Sequence, residues 1–166
     1  MVMKDYRAIV VGTDGSELAE PTVSRAAWLS AHGDADLIVV CAWSGLSRRD
    51  DAKNVMTTGG DTRVGVVIGR TAANAALTSA VETAAKAGAT IRAALLVQGE
   101  PAEALLEAAQ THTAELIVMG ATRRVSLADR LIGTVANDVV RRADCDVLLV
   151  RPERDAEEFE RPESGG

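Results

Sequence analysis

Residues 120–134, GATRRVSLADRLIGT, form the stretch of this chain best suited to chemistry. Gly120 closes an apolar run, and Gly133-Thr134 opens a segment with helical spacing. Glycine accepts backbone angles and close approaches that other residues do not. A helix start presents free N–H groups and about half a positive charge. The amides of Gly133, Thr134 and Val135, with the Thr134 hydroxyl, can therefore surround a phosphate. Arg123, Arg124 and Arg130 add positive charge nearby. The same residues also suit a plainer role, in which Gly120 ends a strand, Thr134 caps a helix and the arginines are solvated. Spacing alone does not choose between the two.

Asp14, in VVGTDGS, is the second residue of interest. A carboxylate beside phosphates is repelled unless it binds a metal or sugar hydroxyls. An acid that accepts hydrogen bonds from ribose recurs in nucleotide sites, although Asp14-Gly15-Ser16 also reads as a turn. No acid–base pair or nucleophile converges on these residues. His32 and His112 fall near the ends of helical segments, at the opposite edge of the sheet from the strand ends. Cys41, in LIVVCAW, has the setting of a buried, inert thiol. With Cys145 it makes no CxxC, no metal-ligand spacing and no disulfide framework. GxxxxGK(S/T), GxSxG and HExxH are absent.

Five apolar runs must position these residues: 8–12, 37–43, 91–97, 115–120 and 146–152. None alternates strictly, as expected for strands buried on both faces. Ala-rich segments of helical spacing separate them. One contains Pro21, which points to a regular helix starting near that residue after a loose first turn. Others run from about Thr71 to Ala87 with Gly88 as the stop, and from Pro101. The pattern predicts an α/β fold, an open five-stranded parallel sheet with helices on both faces. Such sheets bind ligands beyond the carboxyl ends of the strands, where strand order reverses. In the order 2-1-3-4-5 that point falls between the first and third strands. In the order 3-2-1-4-5 it falls between the first and fourth, whose ends, VVGTDGS and VMGATRR, are the most Gly-rich and polar in the chain.

Composition agrees with one domain. The chain has 166 residues, 47% hydrophobic but only 2% aromatic, so Val, Leu, Ile and Ala must build its core. A domain of this size buries roughly 70% of its unfolded surface. The net charge is −6, of which −4 lies in residues 153–166, an acidic tail expected to be disordered. Few aromatics and a negative charge argue against nucleic acid as a partner. The apolar run near the start is too short for a signal peptide or a membrane span, which points to the cytoplasm and to no membrane partner. Residues 44–69 fit neither period and are expected to be a loop insertion in a domain spanning 1–152.

Three blocks, IVVGTDGS, VQGEP and IGTVANDVVRRADCDVLLVRP, resemble the universal stress protein family. The resemblance covers about residues 5–152, apart from 44–69. It implies the order 3-2-1-4-5, a sheet like that of the adenine nucleotide α-hydrolases. One branch of the family binds ATP through Gly-x2-Gly-x9-Gly-(Ser/Thr). Here the matching positions are Gly120, Arg123, Gly133 and Thr134, with Arg123 in place of the second glycine. The family's other nucleotide contacts fall on Thr13, Asp14, the backbone of Ala42, Gly99, Met119 and the Val135 amide. If the second glycine needs positive φ, Arg123 costs roughly 1–2 kcal/mol there, whereas a guanidinium can also grip phosphate. The implied function is a stress-response regulatory protein that binds ATP, with or without Mg, or cyclic AMP in its place, with slow turnover at most. The alternative is a nucleotide-free homodimeric interaction module. In either case the resemblance implies a homodimer through strand 146–152 and a regulatory protein partner. An ATP pyrophosphatase of the related type carries a Ser-Gly-Gly-x-Asp-Ser loop, which GTDGSEL does not match.

Overall fold

The computed structural model describes residues 5–45, 67–121 and 133–151. Six strands occur among them: β1 (Ala8–Gly12), β2 (Asp36–Ser44), β3 (Val67–Ile68), β4 (Thr90–Gln98), β5 (Leu116–Gly120) and β6 (Asp146–Val150). Four helices alternate with them: α1 (Ala19–Gly33), α2 (Arg70–Lys86), α3 (Pro101–Thr111) and α4 (Thr134–Arg142). All strand pairs are parallel, and the five long strands run β4-β2-β1-β5-β6. This is the order 3-2-1-4-5 expected from the sequence.

The difference is β3. Residues 67–68 were expected to lie within a loop, yet they pair with Trp43 and Ser44 at the outer end of β2. Trp43 pairs with Gln98 of β4 on its other side. The two-residue strand therefore occupies the edge of β2 that β1 vacates after Gly12, whose partner is Val40. The rest of that expected loop, 46–66, lies outside the described residues, as do Arg123, Arg124, Arg130 and the tail 153–166.

Alternate strand residues feed two cores, one on each face of the sheet. Ile9, Val11, Leu37, Val39 and Val118 pack with α1 and α2 through Val23, Ala26, Ala73 and Leu77. Val10, Ile38, Val40 and Ile117 pack with α3 and α4 through Ala104, Leu105, Ala136 and Val139. The small helix residues let the helices approach an aliphatic sheet closely, which suits a chain nearly without aromatics.

Pro21 is the third residue of α1. The N–H groups of a first turn lack intrahelical partners, so proline removes nothing there. The helix thus begins two residues before Pro21, without a side-chain cap. Gly88 follows α2 at φ +85°, a left-handed stop. Pro101 opens α3 as its first residue. No helix among the described residues is long and apolar enough to cross a membrane.

Candidate functional site

The ladder between β1 and β5 ends at Val11 and Val118. Beyond it the two chains part. From β1 the chain turns to α1 on one face of the sheet, and α4, which follows β5, lies on the other. A crevice at the carboxyl ends of adjacent strands results, the place where open α/β sheets take ligands.

One wall of the crevice belongs to α4. Gly133 precedes the helix with φ +100° and ψ 150°, and its carbonyl accepts the Asn137 N–H at 2.9 Å. That is the first helical bond of α4, so the amides of Thr134, Val135 and Ala136 face out of the helix start. Thr134 was expected to cap this helix. It is instead the first helical residue, exposed, with Gly133 in the cap position and no side-chain cap bond. Val135 packs against the core that contains Ala42 and Met119, which brings the α4 start together with the ends of β2 and β5. Arg142 secures the far end of α4, with Nη1 donating to Glu103 of α3 at 2.6 Å and to Asp138 at 3.3 Å. The guanidinium holds the Glu103 carboxyl below its ordinary range. These groups are largely exposed, and the pairing orients more than it stabilises.

The opposite wall is the turn after β1. The Thr13 N–H donates to the Val40 carbonyl at 2.9 Å, which carries the chain one residue beyond the strand. The Asp14 carboxylate accepts the Ser16 N–H at 2.9 Å, closing a turn around Gly15 at φ +72°. Asp14 is half-buried, with capacity left to accept from a ligand. The Gly99 N–H donates to the Trp43 carbonyl at 3.0 Å, next to Ala42, and its φ of +145° demands glycine.

Two of the expected residues face elsewhere as well. Thr13 also lines a cleft between α1 and α2. Gly120 touches α1: a Cβ there would lie 2.7 Å from Leu18 Cδ2 and 3.1 Å from Thr22 Oγ1. Its small size is thus explained by helix–sheet packing as well as by any ligand. The sequence reading missed Leu18 in this role, since nothing local marks a half-buried leucine as the partner of a glycine a hundred residues away. It also missed the Val40 carbonyl, because a backbone acceptor leaves no trace in residue type.

Cys41 lies beneath the Asp14 turn, fully buried on the α1–α2 face. Burial pushes its thiol up to about 11, and the Asp14 charge adds to the shift. Between pH 9 and 11 the folded chain holds this proton after the unfolded chain has released it. Stability should therefore fall by about 1.4 kcal/mol per pH unit from this group alone. Tyr6, hydrogen-bonded to Asp146, and Cys145 are raised too and act in the same direction. The comparison that isolates Cys41 is between wild type and Cys41→Ala. Denaturant midpoints measured at pH 8 and 10.5 should drop more for wild type, and equal drops would contradict the buried thiol.

The Universal stress protein family profile matches residues 5–151. The chain belongs to the universal stress protein family. Universal stress protein Rv1636 of Mycobacterium tuberculosis is 36% identical over 148 residues, which cover 89% of this chain and 98% of that protein. A universal stress protein crystallised in complex with cAMP is 32% identical, with a TM-score of 0.64 over 89% of this chain and 98% of its own. The universal stress protein of Archaeoglobus fulgidus in complex with dAMP is 27% identical, with a TM-score of 0.61 over 88% of this chain and 98% of its own. The universal stress protein fold thus holds adenine nucleotides in two relatives of this chain.

Proposed function

We propose that this universal stress protein binds an adenine nucleotide in the crevice between β1 and β5 and acts as a cytoplasmic stress-response regulator. The observation that carries the reading is the pairing of a free helix start with a ribose-suited acid across one crevice, in a fold whose relatives hold cAMP and dAMP. The adenine would lie against the Ala42 backbone and Met119, the ribose hydroxyls would donate to Asp14, and phosphate would sit on the amides of Thr134 and Val135. If Mg accompanies ATP, Asp14 is the carboxylate of the crevice that would hold it, and the metal would offset the charge of the phosphates. Gly99 leaves open space beside Ala42. Arg123 stands where the family's ATP-binding branch has glycine, and a triphosphate depends on that position more than a cyclic monophosphate does. Cyclic AMP is therefore the preferred ligand of this reading, with ATP second. In this reading the bound nucleotide is sensed and passed on through a regulatory protein partner.

Competition calorimetry tests this directly. Cyclic AMP should bind at least as tightly as ATP–Mg, and Asp14→Ala should weaken it about tenfold, the loss of a hydrogen bond to a charged group. Clearly tighter ATP binding would remove the preference. An unchanged affinity in Asp14→Ala would remove the ribose contact.

A second reading, the nucleotide-free dimer module, is favoured by the edge of the sheet. Among the described residues β6 pairs only with β5, and Val147, Leu148 and Leu149 are incompletely covered. An open apolar edge invites pairing with a second copy. Sedimentation without ligand should show a dimer under both readings, so ligand binding separates them.

A further inference from the structure

On the face of the sheet opposite α3 and α4, a cleft of about 200 Å³ opens between α1 and α2, beside the carboxyl end of β1. For scale, a cavity of about 150 Å³ holds benzene, so this one admits a ring bearing substituents. Thr13 lines it and is 7% exposed. The Thr13 hydroxyl makes no hydrogen bond among the described residues, where no sealed polar side-chain atom lacks a partner. That hydroxyl is therefore accessible, in a residue that lines the cleft.

Three more hydroxyls, those of Ser16, Ser79 and Thr83, surround the same space and are likewise without hydrogen bonds among the described residues. Their neighbours behave differently. Thr22 on α1 donates to the Leu18 carbonyl at 2.6 Å, and Thr78 on α2 donates to the Asn74 carbonyl at 2.8 Å. Helical hydroxyls commonly return to their own backbone in this way, and those of Ser79 and Thr83, on the face of α2 that lines the cleft, do not. Glu20 adds a carboxylate at the rim, and Ala76 and Ala80 provide a small apolar surface.

We propose that this cleft is a second ligand site, for a small, uncharged, multiply hydroxylated molecule of about monosaccharide size. Each protein hydroxyl can both donate and accept, which matches the hydroxyls of a polyol. A carboxylate accepts two vicinal hydroxyls, and the alanines suit the C–H face of a ring. Glu20 and the nearby Asp14 repel anions, so the α1 start does not serve here as a phosphate site. The cleft shares Thr13 with the β1–β5 crevice but lies on the α1–α2 face, and its occupancy is tested without nucleotide.

The test is saturation-transfer difference NMR on the full chain with glucose, myo-inositol and glucose 6-phosphate at millimolar concentration. Glucose or inositol should show transfer, and the phosphate ester should show less. Ser79→Ala combined with Thr83→Val should weaken binding about fivefold or more, the loss of two neutral hydrogen bonds. Ala76→Leu should abolish it by filling the cleft. Should that variant fail to fold, the hydroxyl variant decides, because Ser79 is exposed and Thr83 half-exposed. Absence of transfer from both neutral polyols, stronger binding of the phosphate ester, or binding unchanged in the hydroxyl variant would each overturn the proposal.

Discussion

Gly133→Ala is expected to weaken adenine-nucleotide binding by about tenfold or more while lowering thermal stability. Gly133 has φ +100° and ψ 150°, a region that is essentially glycine-only. A side chain held there costs about 1–3 kcal/mol. In a domain of this size that corresponds to roughly 2–4 °C in Tm per kcal/mol. If the backbone relaxes to avoid the strain, the first turn of α4 rotates and the amides of Thr134 and Val135 leave the crevice. Thr134→Ala is the control, since Thr134 is exposed and makes no cap bond. It should leave Tm unchanged and lose only the hydroxyl's share of affinity. Calorimetric titration and thermal unfolding of both variants check this. A Gly133→Ala protein with lowered Tm and unchanged affinity would place the phosphate elsewhere.

Gly120→Ala is expected to destabilise the fold by about 1–3 kcal/mol, the cost of overpacking. The added Cβ would lie 2.7 Å from Leu18 Cδ2, 2.9 Å from Leu18 Cγ and 3.1 Å from Thr22 Oγ1. Leu18 can yield, but Thr22 is fully buried and tied to the Leu18 carbonyl, so α1 must shift at its first turn. Leu18→Ala should relieve the clash. The double variant should then be more stable than the two single losses predict, a coupling of about 0.5–3 kcal/mol. Denaturant unfolding of the four proteins measures it. Strict additivity would mean that Leu18 is not the obstacle. The same set assigns the role of Gly120: nucleotide affinity that returns with stability in the double variant marks the glycine as a packing residue, and affinity that stays low marks it as a ligand contact.

Much of this architecture was legible because parallel strands buried on both faces leave continuous aliphatic runs. AIVVG and LIVVCAW announce β1 and β2 almost to the residue, and Gly88 and Pro101 mark helix ends through their own backbone limits. The crevice was legible from the chain reversal and the two Gly-rich strand ends. What escaped was what depends on the third dimension. Val67–Ile68 is too short to carry a period and becomes a strand only because β1 stops early and leaves an edge of β2 free. Thr13 and Asp14 are adjacent in sequence, yet of the two only Thr13 lines the α1–α2 cleft. Gly120 read as the start of a phosphate loop or as a plain strand end, and its contact with Leu18 has no signature in either segment. Thr134 has the residue type of a cap, but the glycine before it takes that position.

The most direct test of the nucleotide crevice is a native mass spectrum of the full-length chain, as purified and after addition of cyclic AMP. The account predicts a species carrying one adenine nucleotide per chain, with the added mass reduced in Gly133→Ala at the same ligand concentration. A spectrum in which the chain ignores cyclic AMP, and ATP–Mg as well, would contradict it and leave the β6 edge and its protein partners as the seat of function.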